Sequence, residues 1–209
     1  TYEAIDPVRG ITNLSSGKMG FAIARAAREA GAAVTLVAGP VSLPTPRGIQ
    51  RVDVRSASNM LSAVMEHAQA ARIFIATAAV ADWRPEQAAD QKMKKEGAGL
   101  PPVLRFAENA DILATLAQSP QASRGELFCV GFAAESHDLL AHAQAKRLRK
   151  GVPLLVGNIG PATFGQDDNA LLLVEATGTQ EFARDSKLAL ARKLIAVIAD
   201  RVSSGGQNC

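Results

Sequence analysis

A chain of 209 residues that is 47% apolar but only 4% aromatic can build one domain around a core of Ala, Val, Leu and Ile. No uninterrupted apolar stretch reaches about 18 residues, which argues against a membrane span, and the opening TYEAIDPVRG reads as neither a signal nor a transit peptide. A net charge of +3 does not argue for nucleic acid, and the basic clusters KMKK (92–95) and KRLRK (146–150) lack the interleaved aromatic residues that stack bases.

The pattern along the chain alternates between the two regular periods. A helix is expected at about 18–30, and Gly31 leads from it into the strand AVTLVAG. After the turn PVSLPTPRG come a short strand, QRVDV, a helix over 57–70 and the apolar strand RIFIATA at 72–78. Residues 79–100, AVADWRPEQAADQKMKKEGAGL, break the regularity and read as a long flexible lysine-rich loop. A strand near 103–106, a helix over 110–118, the strand LFCVGFA and a helix over 137–150 follow. PLLVGN and ALLLVEA complete the strands, a last helix covers 185–201, and SSGGQNC reads as a disordered tail over 203–209.

Near-continuous Val/Ile/Leu strands alternating with helices predict an α/β, Rossmann-like, mostly parallel sheet with helices on both faces. Ligands of such sheets bind beyond the carboxyl ends of the strands. That rule gathers AAVADWRP, GFAAES and GNIGPATFGQDDN around one site. Cys129 and Cys209 lie in an apolar run and a polar tail, so no structural disulfide is expected and a reducing, cytoplasmic setting is.

Several residues in these segments suit anionic ligands. NLSSGKMG (13–20) resembles a phosphate-binding loop, but Thr12 replaces its first glycine and Met19 its Mg²⁺-binding hydroxyl residue. Ser15, Ser16 and Gly17 remain suited to cap the helix, with or without an anion at its free N–H groups. Lys92, Lys94 and Lys95 have the charge to neutralise phosphates if their loop folds over a ligand. Asp82 suits either a ligand and metal contact or a turn cap, and Phe132 either base stacking or core packing. Lys146 and Lys150, four apart, share a helix face. His67, His137 and His142 show no metal-ligand spacing, so no protein-only metal site is expected.

Six motifs in order, EAIDPVRGITNLSSGKMG, AAVADWRP, KMKK, NADIL, GFAAES and FGQDDNALLLV, closely resemble the bacterial phosphopantothenoylcysteine synthetase family. The resemblance covers residues 3 to about 200 and implies a ligase domain over 1–202. It implies that 4′-phosphopantothenate attacks CTP, with Mg²⁺ present, and that L-cysteine converts the acyl-cytidylate to the amide. It gives Asn13 a contact with the intermediate and Lys92 a part in its conversion. Ala78, Ala79, Asp82, Lys92, Ala110, Asp111, Ile112, Leu113, Phe132, Lys146 and Lys150 match the family's nucleotide positions. Arg9, Asn13, Ser15, Ser16 and Gly17 match or adjoin its substrate turn. It further implies a homodimer and a fused or associated flavin-dependent decarboxylase.

Departures from the family pattern carry their own expectations. The family opens with a strand and a Gly-Gly-Thr turn, and this chain begins at what resembles that Thr. A gap in the sheet and a poorly anchored Tyr2–Arg9 segment are therefore expected. Gly10 replaces an aromatic residue, which loosens the turn before Asn13, and Ala110 replaces a proline, which softens its loop. GNIG replaces a commoner N-D-V, so no role falls on Ile159. Two other functions remain open: a nucleotide-dependent oxidoreductase, for which G-x-G-x-x-G is absent, and a non-catalytic dimeric binding module.

Overall fold

The structure, a computed structural model, describes residues 1–94, 103–135, 138–159 and 165–205. Its centre is a five-stranded sheet of mixed direction. Strands β5 (Ile73–Ala76), β8 (Phe128–Glu135) and β9 (Leu154–Ile159) run parallel, and β10 (Asp168–Glu175) and β11 (Gly178–Ser186) continue the sheet antiparallel. A separate parallel pair joins β3 (Thr35–Ala38) to β4 (Gln50–Asp53). Among the described residues β3 and β5 each pair on one side only, so the sheet is split as expected.

Alternation along the central strands builds two cores, one on each face. Val130, Leu154, Val156, Leu171 and Leu173 pack on one side against α1 (Lys18–Glu29) and α6 (Lys187–Gly205), through Ile23, Ala26, Leu190, Leu194 and Ile198. The intervening Cys129, Leu155, Leu172 and Val174 face the other side. There they meet α2 (Ala57–Ala68), α3 (Ile112–Ala117) and α5 (Leu139–Lys150). The short α4 (Pro120–Ser123) links α3 to β8, with Ser119 as its cap. No helix among the described residues is long and apolar enough to cross a membrane.

Several elements differ from what the sequence pattern suggests. The segment Tyr2–Arg9 is firmly held. Its β1 (Tyr2–Asp6) pairs antiparallel with β2 (Arg9–Thr12), the Tyr2 N–H donates to Arg55 O at 2.8 Å, and a buried Glu3 carboxylate accepts from Ala57 N–H at 2.8 Å. Glu3 thereby assists the Ser56–Asn59 capping box at the start of α2. Nor does Gly10 loosen the hairpin. The Tyr2 ring lies over it so closely that a Cβ would fall 2.3 Å from the ring, and the Arg55 guanidinium covers the ring at 4.5 Å. The aromatic surface missing at position 10 is supplied by the strand opposite.

The segment expected as a structureless loop contains β6 (Trp83–Pro85), which pairs antiparallel with β7 (Phe106–Glu108). The strand anticipated near 103–106 thus starts only at Phe106, and residues 95–102, Lys95 included, lie outside the described residues. Strand β11 has no counterpart in the expected elements. Its side chains are almost all exposed on a sheet edge, so nothing imposes the apolar alternation that marks a half-buried strand. Finally, α6 runs to Gly205 and absorbs the first residues of the expected tail, with Ser204 Oγ donating back to Asp200 O at 2.7 Å. Residues 206–209, Cys209 among them, lie outside the described residues.

Candidate functional site

The site grows from the loop that leaves β5. Three side chains stitch residues 78–82 in place: Asn13 Nδ2 donates to Val80 O at 3.0 Å, Asn109 Nδ2 to Ala81 O at 2.9 Å, and Thr1 Oγ1 accepts from Ala81 N–H at 3.0 Å. Asn109 N–H also donates to Asp82 O at 2.8 Å. The Asp82 carboxylate is exposed and makes no ion pair among the described residues. Ala78 is exposed and Ala79 half-buried, so the strand end presents backbone and methyl groups.

The start of α1 faces the same strand end. Gly17, with φ of 74°, occupies the cap position, and no side chain caps the helix. Ser16 Oγ accepts only a long contact, 3.4 Å, from Lys18 N–H, and Ser15 stays exposed. Gly20 lets α1 close on the strand end, because a Cβ there would meet Thr77 Oγ1 at 2.7 Å. Lys18 Nζ donates to Gly165 O at 2.9 Å and to Asp167 Oδ1 at 2.6 Å, tying α1 to the FGQDDN segment. That hydrogen bond holds the Asp167 carboxyl below the usual carboxylate range. Burial, with Lys18 nearby, lowers the pKa of Lys187 at the start of α6.

A second group forms where α3 begins and α5 ends. Asp111 caps α3 by accepting Ala114 N–H at 3.0 Å through Oδ1, and its other oxygen pairs with Lys150 Nζ. Asp111 thus keeps its capping position beside Ala110. Ile112 and Leu113 are buried, so they anchor α3 and do not face a ligand with their side chains. Leu113 sits against Gly131, where a Cβ would fall 2.6 Å from Leu113 Cδ2 and 2.7 Å from Leu155 Cδ1. Gly131 therefore sets how closely Asp111 approaches β8. Lys146 lies one turn before Lys150 on α5 and is half-buried. Phe132 is half-buried and packs against the α1/α6 core, which favours the packing alternative for its ring.

Met93 of KMKK is drawn to the β1–β2 hairpin. Asp6 Oδ2 accepts Met93 N–H at 3.1 Å, and Arg9 Nη2 donates to Met93 O at 2.7 Å. Arg9 is also paired with Asp6, so its guanidinium braces the hairpin. Lys92 is exposed and makes no ion pair among the described residues. The expectation of a flexible lysine-rich loop thus meets a tether at Met93. Sequence reasoning missed Asp6, Lys18, Asn109 and Asp167 as residues that organise the site. Asn109 stood at the head of NADIL, but only the fold shows its amide reaching the β5 loop.

A depression of about 530 Å³ lined by Ala117, Leu127, Cys129, Arg147 and Val152 lies at the amino ends of β8 and β9, away from these strand-end loops. Burial pushes the Cys129 thiol up to about 11, so it is an unreactive core group.

Fold and geometry together define an α/β protein whose polar and charged side chains converge on the carboxyl ends of a sheet. The chain belongs to the family described as DNA/pantothenate metabolism flavoprotein C-terminal domain, which residues 1–202 match. It is 45% identical over 205 residues to the coenzyme A biosynthesis bifunctional protein CoaBC of Vibrio cholerae, covering 97% of this chain and 51% of that protein. The chain thus spans about half the length of the curated relatives it matches. A crystal structure of the C-terminal domain of a CoaBC superposes with a TM-score of 0.81 at 34% identity, covering 98% of this chain and 92% of that one. A Cab2 mutant (H337A) in complex with phosphopantothenate-cysteine has the same fold, with a TM-score of 0.81 at 16% identity over 100% of this chain and 86% of that one.

Proposed function

We propose that this protein is a phosphopantothenate–cysteine ligase of coenzyme A biosynthesis, using CTP and an acyl-cytidylate intermediate. The observation that supports it best is convergence. Residues from five of the six motifs, together with Lys150 of the KRLRK cluster, are joined by hydrogen bonds: Asn13 to Val80, Asn109 to Ala81, Asp111 to Lys150, Lys18 to Asp167, and Arg9 to Met93. Membership of a pantothenate-metabolism family over nearly the whole chain supports the same reading.

In this reading a carboxylate oxygen of 4′-phosphopantothenate attacks the α-phosphorus of CTP and pyrophosphate leaves. The amine of L-cysteine then attacks the acyl carbon, CMP leaves with the C–O bond electrons, and the amine loses a proton. Both steps crowd negative charge, so fixed cations lower the barrier most. Lys150 can pass from Asp111 to a phosphate, and Lys92 has no competing ion pair among the described residues. Asn13, oriented by Val80 O, keeps its Oδ1 available to a ligand donor. Ala78 and Ala79 leave room for the ligand at the strand end, Lys146 completes the nucleotide side, and Phe132 supports it from the α1/α6 core.

Among the described residues no group of three His, Cys, Asp or Glu holds a metal by itself. Mg²⁺ would arrive with the triphosphate and help to neutralise it, and the exposed Asp82 carboxylate could help to hold the ion. Assembly as a homodimer, association with a flavin-dependent decarboxylase and a cytoplasmic location belong to the same proposal.

The test incubates the protein with 4′-phosphopantothenate, Mg²⁺ and CTP without cysteine and seeks the acyl-cytidylate by mass spectrometry. Wild type and Lys92→Gln are expected to form it, and only wild type to consume it rapidly when cysteine is added. Absence of both intermediate and pyrophosphate with wild type refutes the reading.

A further inference from the structure

The Asp6 side chain is fully buried, yet its carboxylate is charged and accepts hydrogen bonds on both oxygens. Oδ1 takes the N–H groups of Val8 and Arg9, each at 2.9 Å, and these close the hairpin turn. Oδ2 takes Arg9 Nε at 2.9 Å, Arg9 Nη2 at 2.5 Å and the Met93 N–H at 3.1 Å. The pairing with Arg9 holds the carboxyl well below the usual carboxylate range. Arg9 Nη2 then reaches Met93 O at 2.7 Å. The N–H and C=O of one residue are thus captured by the two members of one ion pair. A further bond, Ala89 N–H to Ile5 O at 2.9 Å, lays the same segment along β1.

Oδ1 and Arg9 already satisfy the hairpin locally, so the two bonds to Met93 serve the distant segment. Met93 lies between Lys92 and Lys94. The clamp is at the Arg9 end of β2, and Asn13 follows the other end, four residues on. At about 3.3 Å per residue that separation is about 13 Å, a span suited to an extended ligand touched at both ends.

We propose that Asp6 is a positioning residue that, through the Met93 backbone, sets where Lys92 stands relative to Asn13. The proposal rests on the ligase reading for the part played by Lys92; the clamp itself does not. Asp6→Asn keeps the shape and an acceptor for the turn, but turns a donor toward Arg9 and the Met93 N–H. Met93→Pro removes the N–H that Asp6 accepts and leaves Asp6 and Arg9 in place.

The experiment combines hydrogen exchange with transient kinetics. In wild type the Met93 amide is expected to be protected, and in Asp6→Asn its protection falls about tenfold or more, as for loss of a buried charge-assisted bond. In both variants consumption of the acyl-cytidylate by cysteine slows about tenfold to a hundredfold, because small misplacements of a reacting group are costly. Formation of the intermediate changes by less than about threefold on the same scale. A merely structural role would slow both steps alike, and that outcome overturns the proposal. So does an unprotected Met93 amide in wild type, a result that needs no variant to fold. If wild type makes no intermediate while Met93 is protected, the ligase reading fails, and with it the role given to Lys92, although the clamp stands.

Discussion

Gly131→Ala tests the link between packing and the site. The new Cβ would lie 2.6 Å from Leu113 Cδ2 and 2.7 Å from Leu155 Cδ1, where carbon atoms prefer about 3.5–4.0 Å. Both leucines must retreat by roughly 1 Å, and both are buried. Overpacking of this kind costs about 1–3 kcal/mol. For a chain of this length each kcal/mol lowers Tm by about 2–4 °C, so a loss of about 2–12 °C is expected by calorimetry. Leu113 lies two residues beyond Asp111, the cap of α3 and the partner of Lys150. Under the proposed ligase reading, displacing α3 should also weaken CTP binding, by about tenfold for each 1.4 kcal/mol lost, read by titration calorimetry. Gly125→Ala is the control. It has φ of 72° and nothing near its Cβ, so it costs about 1–2 kcal/mol of backbone strain without moving Asp111. Unchanged CTP affinity in a destabilised Gly131→Ala, or an equal loss of affinity in Gly125→Ala, refutes the argument.

Two further outcomes follow from the electrostatics. Hydrogen bonds from Arg192 and then Arg25 lower the Glu29 carboxyl to about 2, joining α1 to α6. A depressed carboxylate stabilises the fold above its unfolded value of 4.5, and that stabilisation is lost as pH falls toward 2. Glu29→Gln should thus lower Tm at pH 7, with the gap to wild type closing as pH drops through that window; a pH-independent gap would contradict the ion-pair account. In a Cys209→Ser background, Cys129 should react with a thiol reagent at neutral pH only on unfolding, because burial raises its pKa to about 11; rapid labelling of the native protein would contradict this.

The alternation of apolar strands with helices was legible in sequence because both periods are imposed by burial. Val130, Leu154, Val156, Leu171 and Leu173 face one core and Cys129, Leu155, Leu172 and Val174 the other. The rule that ligands sit at strand ends then placed AAVADWRP beyond β5 without coordinates, whereas Ala78 and Ala79 as nucleotide positions came from the family resemblance. Polar strands were not legible in the same way. Exposed β11 and β6 bury too little to leave a periodic signature, and the antiparallel direction of β10, itself read as the strand ALLLVEA, went unread with them. The candidate site divides along the same line. Residue types and motif order singled out Asn13, Lys92, Asp111 and Lys150. Only the fold pairs Asp111 with Lys150, 39 positions away, or places Met93 on Asp6, 87 positions away. It is also the fold that sets the Tyr2 ring over Gly10. Local periodicity records which face of an element is buried. Which distant carboxylate meets which backbone N–H depends on how the elements are stacked, and no local pattern carries that.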